Sequence, residues 1–355
     1  MELREALLKD VENIVVHGRT VNCYDPVMLL WGGSSLEMRV QCSELHLLIE
    51  GTFTNQEQWI AIEINGEVIA RQMLKKEKEW ICIFRNITPT LETNVRIIKE
   101  VQAMYEDEEH CLKIYAVKLD GELLPVEPKK YRIEFIGDSI TSAEGTIGAK
   151  QDMDWISMYF SHVHSYPYLT SKYLDADYQL ISQSGWGVYT SFDNNTSHAI
   201  PKYYKQICGV ATGESLKSAG FLDDWNFNLW QPQIICVNLG TNDNLAIESA
   251  DGTYPDDKVL EVKKAIKDFL GLLREKNPKA YIIYGFGILK CGLQPMIEEA
   301  LKEYKEEQGD CKVKFITLPE VTTETFGSRQ HPGYAAHQAA AKVLAEEIKE
   351  ILLRA

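Results

Sequence analysis

Apolar segments alternate with helical patterns over the second half of the chain, and this alternation constrains the fold more than any other feature. The apolar segments are Tyr131–Ile136, Tyr178–Ile181, Ile234–Leu239, Tyr281–Gly285 and Val313–Ile316. Amphipathic helices are predicted at Asp256–Lys276, Met296–Glu307 and Tyr334–Leu353. Strands that helices cover on both faces have such near-continuous apolar sequences. The pattern therefore predicts a three-layer α/β domain around a parallel sheet.

The first third of the chain has the pattern of an all-β domain. Short runs of β-forming residues follow one another between about residues 11 and 119. Asn65-Gly66 separates two of these runs, and this dipeptide tolerates the positive φ angles of a type I′ hairpin turn. The pattern predicts a β-sandwich of the jelly-roll type. A stiff, polar connection containing Pro125 and Pro128 ends it, so we predict domains at 1–128 and 129–355.

Composition restricts the partners. The net charge of -15 disfavours nucleic acid and anionic membranes, which are also negative. No segment is apolar enough over the length of a bilayer, and the N-terminus has no signal-peptide pattern, so we expect a cytoplasmic protein. The cysteines lie mostly in apolar runs without metal-binding spacing, so neither disulfides nor a metal are predicted. A homo-oligomer is compatible with the sequence.

Ser139 follows the strand Tyr131–Ile136 directly, in the sequence Gly137-Asp138-Ser139. Ligands of open α/β sheets bind at the carboxyl ends of the strands. A serine hydroxyl needs a base within hydrogen-bonding reach to act as a nucleophile, and His331, on the loop before the last helix, is the candidate base. Taken alone, Gly-Asp-Ser is a weak signal and is better explained as an ordinary strand-to-loop turn.

Two further loops offer hydrogen-bond donors at the same edge of the sheet. Gly185 follows the second strand and Asn242 follows the third. A backbone N–H at Gly185 and the amide of Asn242 can stabilise the oxyanion of an acyl-transfer reaction. Individually, each is also explained as a turn glycine or a helix cap.

In this order, Gly137-Asp-Ser-Ile140, Gly185, Gly240-Thr-Asn-Asp243 and His331-Pro332 resemble the four sequence blocks of the SGNH (GDSL-type) hydrolases. The resemblance implies a flavodoxin-like fold, Ser139 as nucleophile and His331 as base, with no cofactor. It also implies an oxyanion hole of the Ser139 N–H, the Gly185 N–H and the Asn242 side chain.

A jelly roll in front of an SGNH domain is similar to carbohydrate esterase family two. That likeness implies a serine esterase that removes O-acetyl groups from xylan-derived or other acetylated sugars and oligosaccharides, the expected partners. The chain departs from the pattern in one respect, because Ser328-Arg329-Gln330 has no carboxylate just before the histidine. A backbone carbonyl or a distant carboxylate would have to orient His331.

Other residues are weaker candidates. Asp138, Asp243 and Trp186 are assigned to substrate binding, Trp186 because an indole ring can stack on a sugar face. Further aromatic residues could line the same rim: Trp155, Tyr189, Trp225 and Trp230. His162, His164 and His198 lack a carboxylate at metal-binding spacing.

Two alternatives remain open. One is another SGNH activity, that of a short-chain lipase, a lysophospholipase or a thioesterase. The other is a non-catalytic carbohydrate-binding protein, which the missing carboxylate favours.

Overall fold

The structure, a computed structural model, describes residues 2–354, so Met1 and Ala355 at the ends of the predicted domains lie outside it. It contains two compact units. Among the described residues, the first comprises 2–128, Ile156–Met158 and Gln206–Asp224, and the second comprises Lys129–Trp155, Tyr159–Lys205 and 225–354. The sequence did not reveal that two segments beyond residue 128 belong to the first unit. Within residues 2–354, we find no helix with the length and apolar character needed to cross a bilayer.

The first unit is a sandwich of two antiparallel sheets. One sheet contains β1 (Arg4–Leu7), β3 (Val27–Leu29), β5 (Leu45–Thr52), β8 (Glu79–Phe84) and β10 (Cys111–Leu119). The other contains β2 (Ile14–His17), β4 (Ser35–Gln41), β6 (Trp59–Ile64), β7 (Glu67–Met73), β9 (Thr93–Lys99) and β11 (Glu122–Leu124). Buried side chains from both sheets, such as Leu47 and Ile97, form one apolar core. The predicted all-β sandwich is confirmed, and its strands repeatedly change sheet along the chain, as in a jelly roll.

The predicted hairpin is also present. Strands β6 and β7 pair in antiparallel register, with Ile64 opposite Glu67. Between them Asn65 and Gly66 have φ angles of 51° and 83°. Both are positive, as a type I′ turn requires.

The second unit is built on a parallel sheet. Its strands are β12 (Tyr131–Gly137), β13 (Ala176–Ser182), β14 (Ile234–Asn238), β15 (Tyr281–Phe286) and β16 (Val313–Thr317), in the order β13-β12-β14-β15-β16. The helices of the chain are α1 (Tyr166–Leu174), α2 (Glu214–Ser218, in the first unit), α3 (Thr241–Ile247), α4 (Asp256–Lys276), α5 (Gln294–Gln308) and α6 (Tyr334–Arg354). Helix α1 packs against α6, and α4 packs against α5. The predicted three-layer α/β fold is confirmed.

Strand β12 lies where the strand order reverses. It pairs with β13 on one side and with β14 on the other, both in parallel. The chain therefore passes from β12 to β13 along one edge of β12. After β13 it crosses to form β14 along the other edge. Such a switch point opens a crevice beyond the carboxyl ends of the strands, and the residues that follow β12, β13 and β14 enter it.

Candidate active site

Gly137, the last residue of β12, allows the turn that follows to be tight. A Cβ atom on Gly137 would lie 1.9 Å from Oγ1 of Thr141 and 2.8 Å from the carbonyl oxygen of Asn238. The chain then folds back on itself, with the Ser142 N–H donating to the Asp138 carbonyl at 2.9 Å. This turn holds Ser139 at the switch point with 8% of its surface exposed.

Ser139 and His331 meet although 192 residues separate them in the sequence. The Ser139 hydroxyl lies 2.8 Å from Nε2 of His331. The imidazole side chain is 17% exposed. This is the nucleophile and base geometry that the sequence predicted, at the edge of the sheet where the topology places it.

The second nitrogen of His331 contacts a backbone carbonyl. Nδ1 lies 3.0 Å from the carbonyl oxygen of Arg329. A carbonyl oxygen can only accept, so Nδ1 must carry the hydrogen and Nε2 must accept from Ser139. The carbonyl thus fixes the tautomer that a general base needs, and it is one of the two substitutes that the sequence left open for the missing carboxylate.

The donors after β13 and β14 lie beside this pair. Nδ2 of Asn242 donates to the Trp186 carbonyl at 3.0 Å and lies 3.5 Å from Oδ2 of Asp138, the residue before Ser139. An amide nitrogen carries two hydrogens, so one is donated to Trp186 and the other to Asp138 over the longer 3.5 Å distance. A substrate oxygen that takes the second hydrogen would replace only this long contact. Gly185 has a φ of 79°, in the left-handed region that favours glycine.

Asp243 does not face a substrate, and its substrate-binding prediction is corrected. Its carboxylate is fully buried and accepts from the backbone N–H groups of Val188, Tyr189 and Thr190 at 2.8 to 2.9 Å. Burial raises its pKa, and the three N–H groups oppose that rise. Asp243 therefore fixes the loop that follows Gly185.

Asp138 is also turned into the protein, which corrects its assignment to substrate binding. It has no exposed surface, and its Oδ1 accepts from the Ile140 N–H at 3.0 Å. Burial raises the pKa of Asp138 to about 7. The side chain shapes the turn that presents Ser139.

Trp186 does not offer a free face for a sugar. The ring is 4% exposed and stacks on His198 at a centroid distance of 4.8 Å and an interplanar angle of 3°. Its second neighbour is Tyr203. The sequence placed Trp186 in the correct loop, but its ring packs against His198 and Tyr203.

Phe192 is the aromatic residue that the sequence did not indicate. It is 59% exposed, its N–H donates to the Gly185 carbonyl at 3.0 Å, and its ring lies 3.0 Å from where a Cβ of Gly185 would be. An exposed ring beside Gly185 is a suitable stacking surface. The only sequence signal was its position seven residues after Gly185, in the same loop.

Three of the other aromatic candidates contact neighbouring protein groups. The Trp230 indole N–H donates to Asp177 at 2.7 Å, the Tyr189 hydroxyl donates to Glu261, and Trp155 packs edge-on against Phe160. Trp225 is half-buried.

The histidines outside the site contact other protein groups. His162 lies 2.8 Å from the Tyr178 hydroxyl, and His164 lies 2.8 Å from the Ser161 hydroxyl. A separate group in the first unit, Glu44, His46 and Cys82, has potential ligand atoms within 4.8 Å of one another. There Glu44 already pairs with His46 and with Arg85, whose positive charge disfavours a cation.

The comparisons with known proteins agree with this geometry. Residues 133–344 match the GDSL-like lipases/acylhydrolases. The chain belongs to this family. The predicted membership is therefore confirmed, and the match includes Ser139, Gly185, Asn242 and His331.

The chain is similar to several carbohydrate-active enzymes. A structure of an acetyl xylan esterase from the rumen bacterium Butyrivibrio proteoclasticus has a TM-score of 0.96 and 40% identity over 99% of this chain and 98% of that one. A family two carbohydrate esterase from Clostridium thermocellum, solved with cellohexaose, has the same fold, with a TM-score of 0.82 and 23% identity over 96% of this chain and 99% of that one. The cellulase/esterase CelE of Acetivibrio thermocellus is 30% identical over 65% of this chain, but the match spans only 27% of CelE.

Proposed function

We propose that this protein is a serine esterase that removes acetyl groups from acetylated sugars or oligosaccharides, such as those derived from xylan. The 2.8 Å contact between the Ser139 hydroxyl and Nε2 of His331 is the observation that carries the proposal, because it provides a nucleophile with its base. The acetyl xylan esterase of B. proteoclasticus supports the choice of acetyl ester and of carbohydrate, since 40% of its aligned residues are identical.

The geometry supports an acyl-serine mechanism. Oγ of Ser139 attacks the acetyl carbonyl carbon while its proton passes to Nε2 of His331. The backbone N–H groups of Ser139 and Gly185 and the second N–H of Asn242 are assigned to the oxyanion. The imidazolium then gives the proton to the departing sugar oxygen, which leaves as a hydroxyl. Water activated by the same imidazole then hydrolyses the acetyl-serine to acetate and free Ser139.

A direct test measures acetate release from acetylated xylo-oligosaccharides, together with a series of p-nitrophenyl esters of increasing acyl length. We expect acetate release from the oligosaccharides and an optimum at the acetyl ester. An optimum beyond about butyrate would favour the short-chain lipase or thioesterase alternative. No turnover of any ester by folded protein, with no labelling of Ser139 by a serine-directed phosphonate, would favour a non-catalytic binding protein.

Phe192 provides a separate test of the carbohydrate substrate. We expect Phe192→Ala to lower kcat/KM for an acetylated oligosaccharide by about 5- to 30-fold through KM, because an exposed stacking surface is lost. Turnover of p-nitrophenyl acetate, which has no sugar ring, should change less than about threefold. Steady-state kinetics on both substrates measure the difference.

The matched control is Tyr173→Ala, which removes another half-exposed ring from helix α1. It should leave both substrates unaffected. Equal losses on the two substrates for Phe192→Ala would contradict a sugar-stacking role.

A further inference from the structure

Glu144 lies among the catalytic loops although no sequence block contains it. The residue is 3% exposed, and its backbone N–H donates to the Ser139 carbonyl at 3.0 Å. Its carboxylate accepts from Nε of Arg329 at 2.8 Å and from the Ser184 side chain, next to Gly185. One buried carboxylate thus connects the serine turn, the oxyanion loop and the histidine loop.

The same carboxylate lies beside the catalytic imidazole. Oε1 of Glu144 is 3.7 Å from Nε2 of His331, the nitrogen that receives the serine proton. The other ring nitrogen, Nδ1, contacts the neutral carbonyl of Arg329. The negative charge that a triad supplies at Nδ1 is here supplied at Nε2.

The backbone keeps the carboxylate at this distance. Gly145 follows Glu144 with a φ of 69°, and a Cβ on it would lie 2.4 Å from the Ser328 carbonyl oxygen and 2.9 Å from Cβ of His331. The Ser328 N–H donates to the Gly145 carbonyl at 2.9 Å. Only glycine permits the two loops to approach this closely.

Arg329 completes the arrangement. It has φ 53° and ψ 29°, a left-handed conformation that costs energy for a residue other than glycine. Its guanidinium holds Glu144 and also donates to the Met153 carbonyl at 3.0 Å, which fixes the conformation that directs its own carbonyl at Nδ1. The backbone carbonyl of Arg329 therefore contacts Nδ1 of His331, and its side chain holds the carboxylate that lies beside Nε2.

We propose that Glu144 is a positioning residue that, with Arg329, replaces the missing triad carboxylate by stabilising the His331 imidazolium from its serine side. This role rests on the proposed esterase function. Glu144 is suited to it because it is ionised: burial favours its neutral form, but the nearby His331 and the Arg329 hydrogen bond outweigh burial and lower its pKa. In the reaction the proton moves from Ser139 to Nε2, and Glu144 accepts no proton.

Among the described residues, three groups near His331, besides Ser139, are ionisable. Glu144 lies on the loop after β12, Arg329 lies on the loop of His331 itself, and His337 lies on α6. Burial lowers the pKa of His337 to about 3, so it is neutral at the pH of the reaction. Near neutral pH Glu144 and Arg329 are therefore the charged residues that contact His331. Asp138, buried beside Ser139 with a pKa of about 7, is a further titratable group of the site.

The test is the pH dependence of kcat/KM for p-nitrophenyl acetate in Glu144→Gln, which keeps the shape and removes the charge. We expect kcat/KM to fall about 10- to 30-fold, mainly in kcat. The acid limb of the profile should also move to lower pH by about 0.5 to 1 unit, because an imidazolium without its neighbouring anion loses its proton more easily. Glu346→Gln, an exposed position on α6, is the matched control and should match the wild type.

Arg329→Met gives the opposite sign. Removing the guanidinium leaves Glu144 unneutralised, so the acid limb should move to higher pH. If Glu144→Gln does not fold, the acid limb of Arg329→Met tests whether charge near His331 matters. Glu144→Asp, which keeps the charge, should then retain part of kcat. A loss of activity with an unmoved acid limb in both charge variants would reduce Glu144 to a structural role and overturn the proposal, as would wild-type kinetics in Glu144→Gln.

These outcomes are distinct from failure of the proposed function. If Ser139→Ala keeps its activity, the esterase assignment fails whatever Glu144 does. If Ser139→Ala is inactive and Glu144→Gln is unchanged, only the inference about Glu144 fails.

Discussion

Ser139→Ala is expected to lower kcat/KM for acetyl esters by at least about 10⁴-fold, and His331→Ala by a similar factor. The two residues form one unit, since the hydroxyl attacks only when Nε2, 2.8 Å away, takes its proton. Their effects should therefore not add, and the double variant should be no slower than either single variant. Initial rates with p-nitrophenyl acetate and with an acetylated xylo-oligosaccharide measure the losses.

The controls separate chemistry from folding. Ser197→Ala removes an exposed hydroxyl from the loop after Gly185 and should retain full activity. Thermal unfolding should show Ser139→Ala to be as stable as the wild type. Wild-type turnover in either the Ser139 or the His331 variant would eliminate the acyl-serine mechanism.

Asn242→Ala is expected to lower kcat by about 10²- to 10³-fold with little change in KM. The Nδ2 group donates one hydrogen to the Trp186 carbonyl at 3.0 Å, and the other forms only a long, 3.5 Å contact with Asp138. We expect that second hydrogen to turn to the oxyanion, which exists only after attack by Ser139. Donors that act on the transition state are expressed in kcat. Steady-state kinetics with saturating acetyl ester make the measurement.

Asn244→Ala is the matched control, because this buried asparagine lies two residues further along α3. Its Oδ1 accepts from the Tyr254 hydroxyl at 2.8 Å and from the Leu293 N–H at 3.1 Å. These hydrogen bonds give Asn244 a structural role. It should cost stability and leave kcat within about threefold. A kcat for Asn242→Ala within twofold of the wild type would remove Asn242 from the oxyanion hole.

The periodicity of the sequence was sufficient for the architecture. Helix α4 has the predicted bounds Asp256–Lys276, and the predicted strands of the second unit lie within one or two residues of β12 to β16. Apolar residues repeat at strand or helix spacing because each element must bury one face or both, so local pattern and burial agree. The sequence also placed Ser139 and His331 together, since parallel strands bring their carboxyl ends to one edge.

Side-chain direction within loops was not predictable in the same way. Trp186 and Phe192 belong to one loop, and composition favoured the tryptophan as the sugar-facing ring. In the structure Trp186 stacks on His198, and Phe192 is exposed. Loop side chains follow no periodicity, so contacts with residues distant in sequence decide which of them is buried.

By itself, the sequence determined the class of both units, the strands and the three long helices of the second unit, and the order of the residues with serine-hydrolase chemistry. Strand and helix periods and turn dipeptides are local features, and the order of the motifs can be seen in the sequence itself. Neither requires knowledge of which distant residues are in contact. Only the tertiary structure decided how His331 is oriented. Arg329 lies only two residues before His331, and its carbonyl contacts Nδ1. Its side chain is held by Glu144, which is 185 residues away and also lies beside Nε2 of His331, and no local pattern encodes that contact.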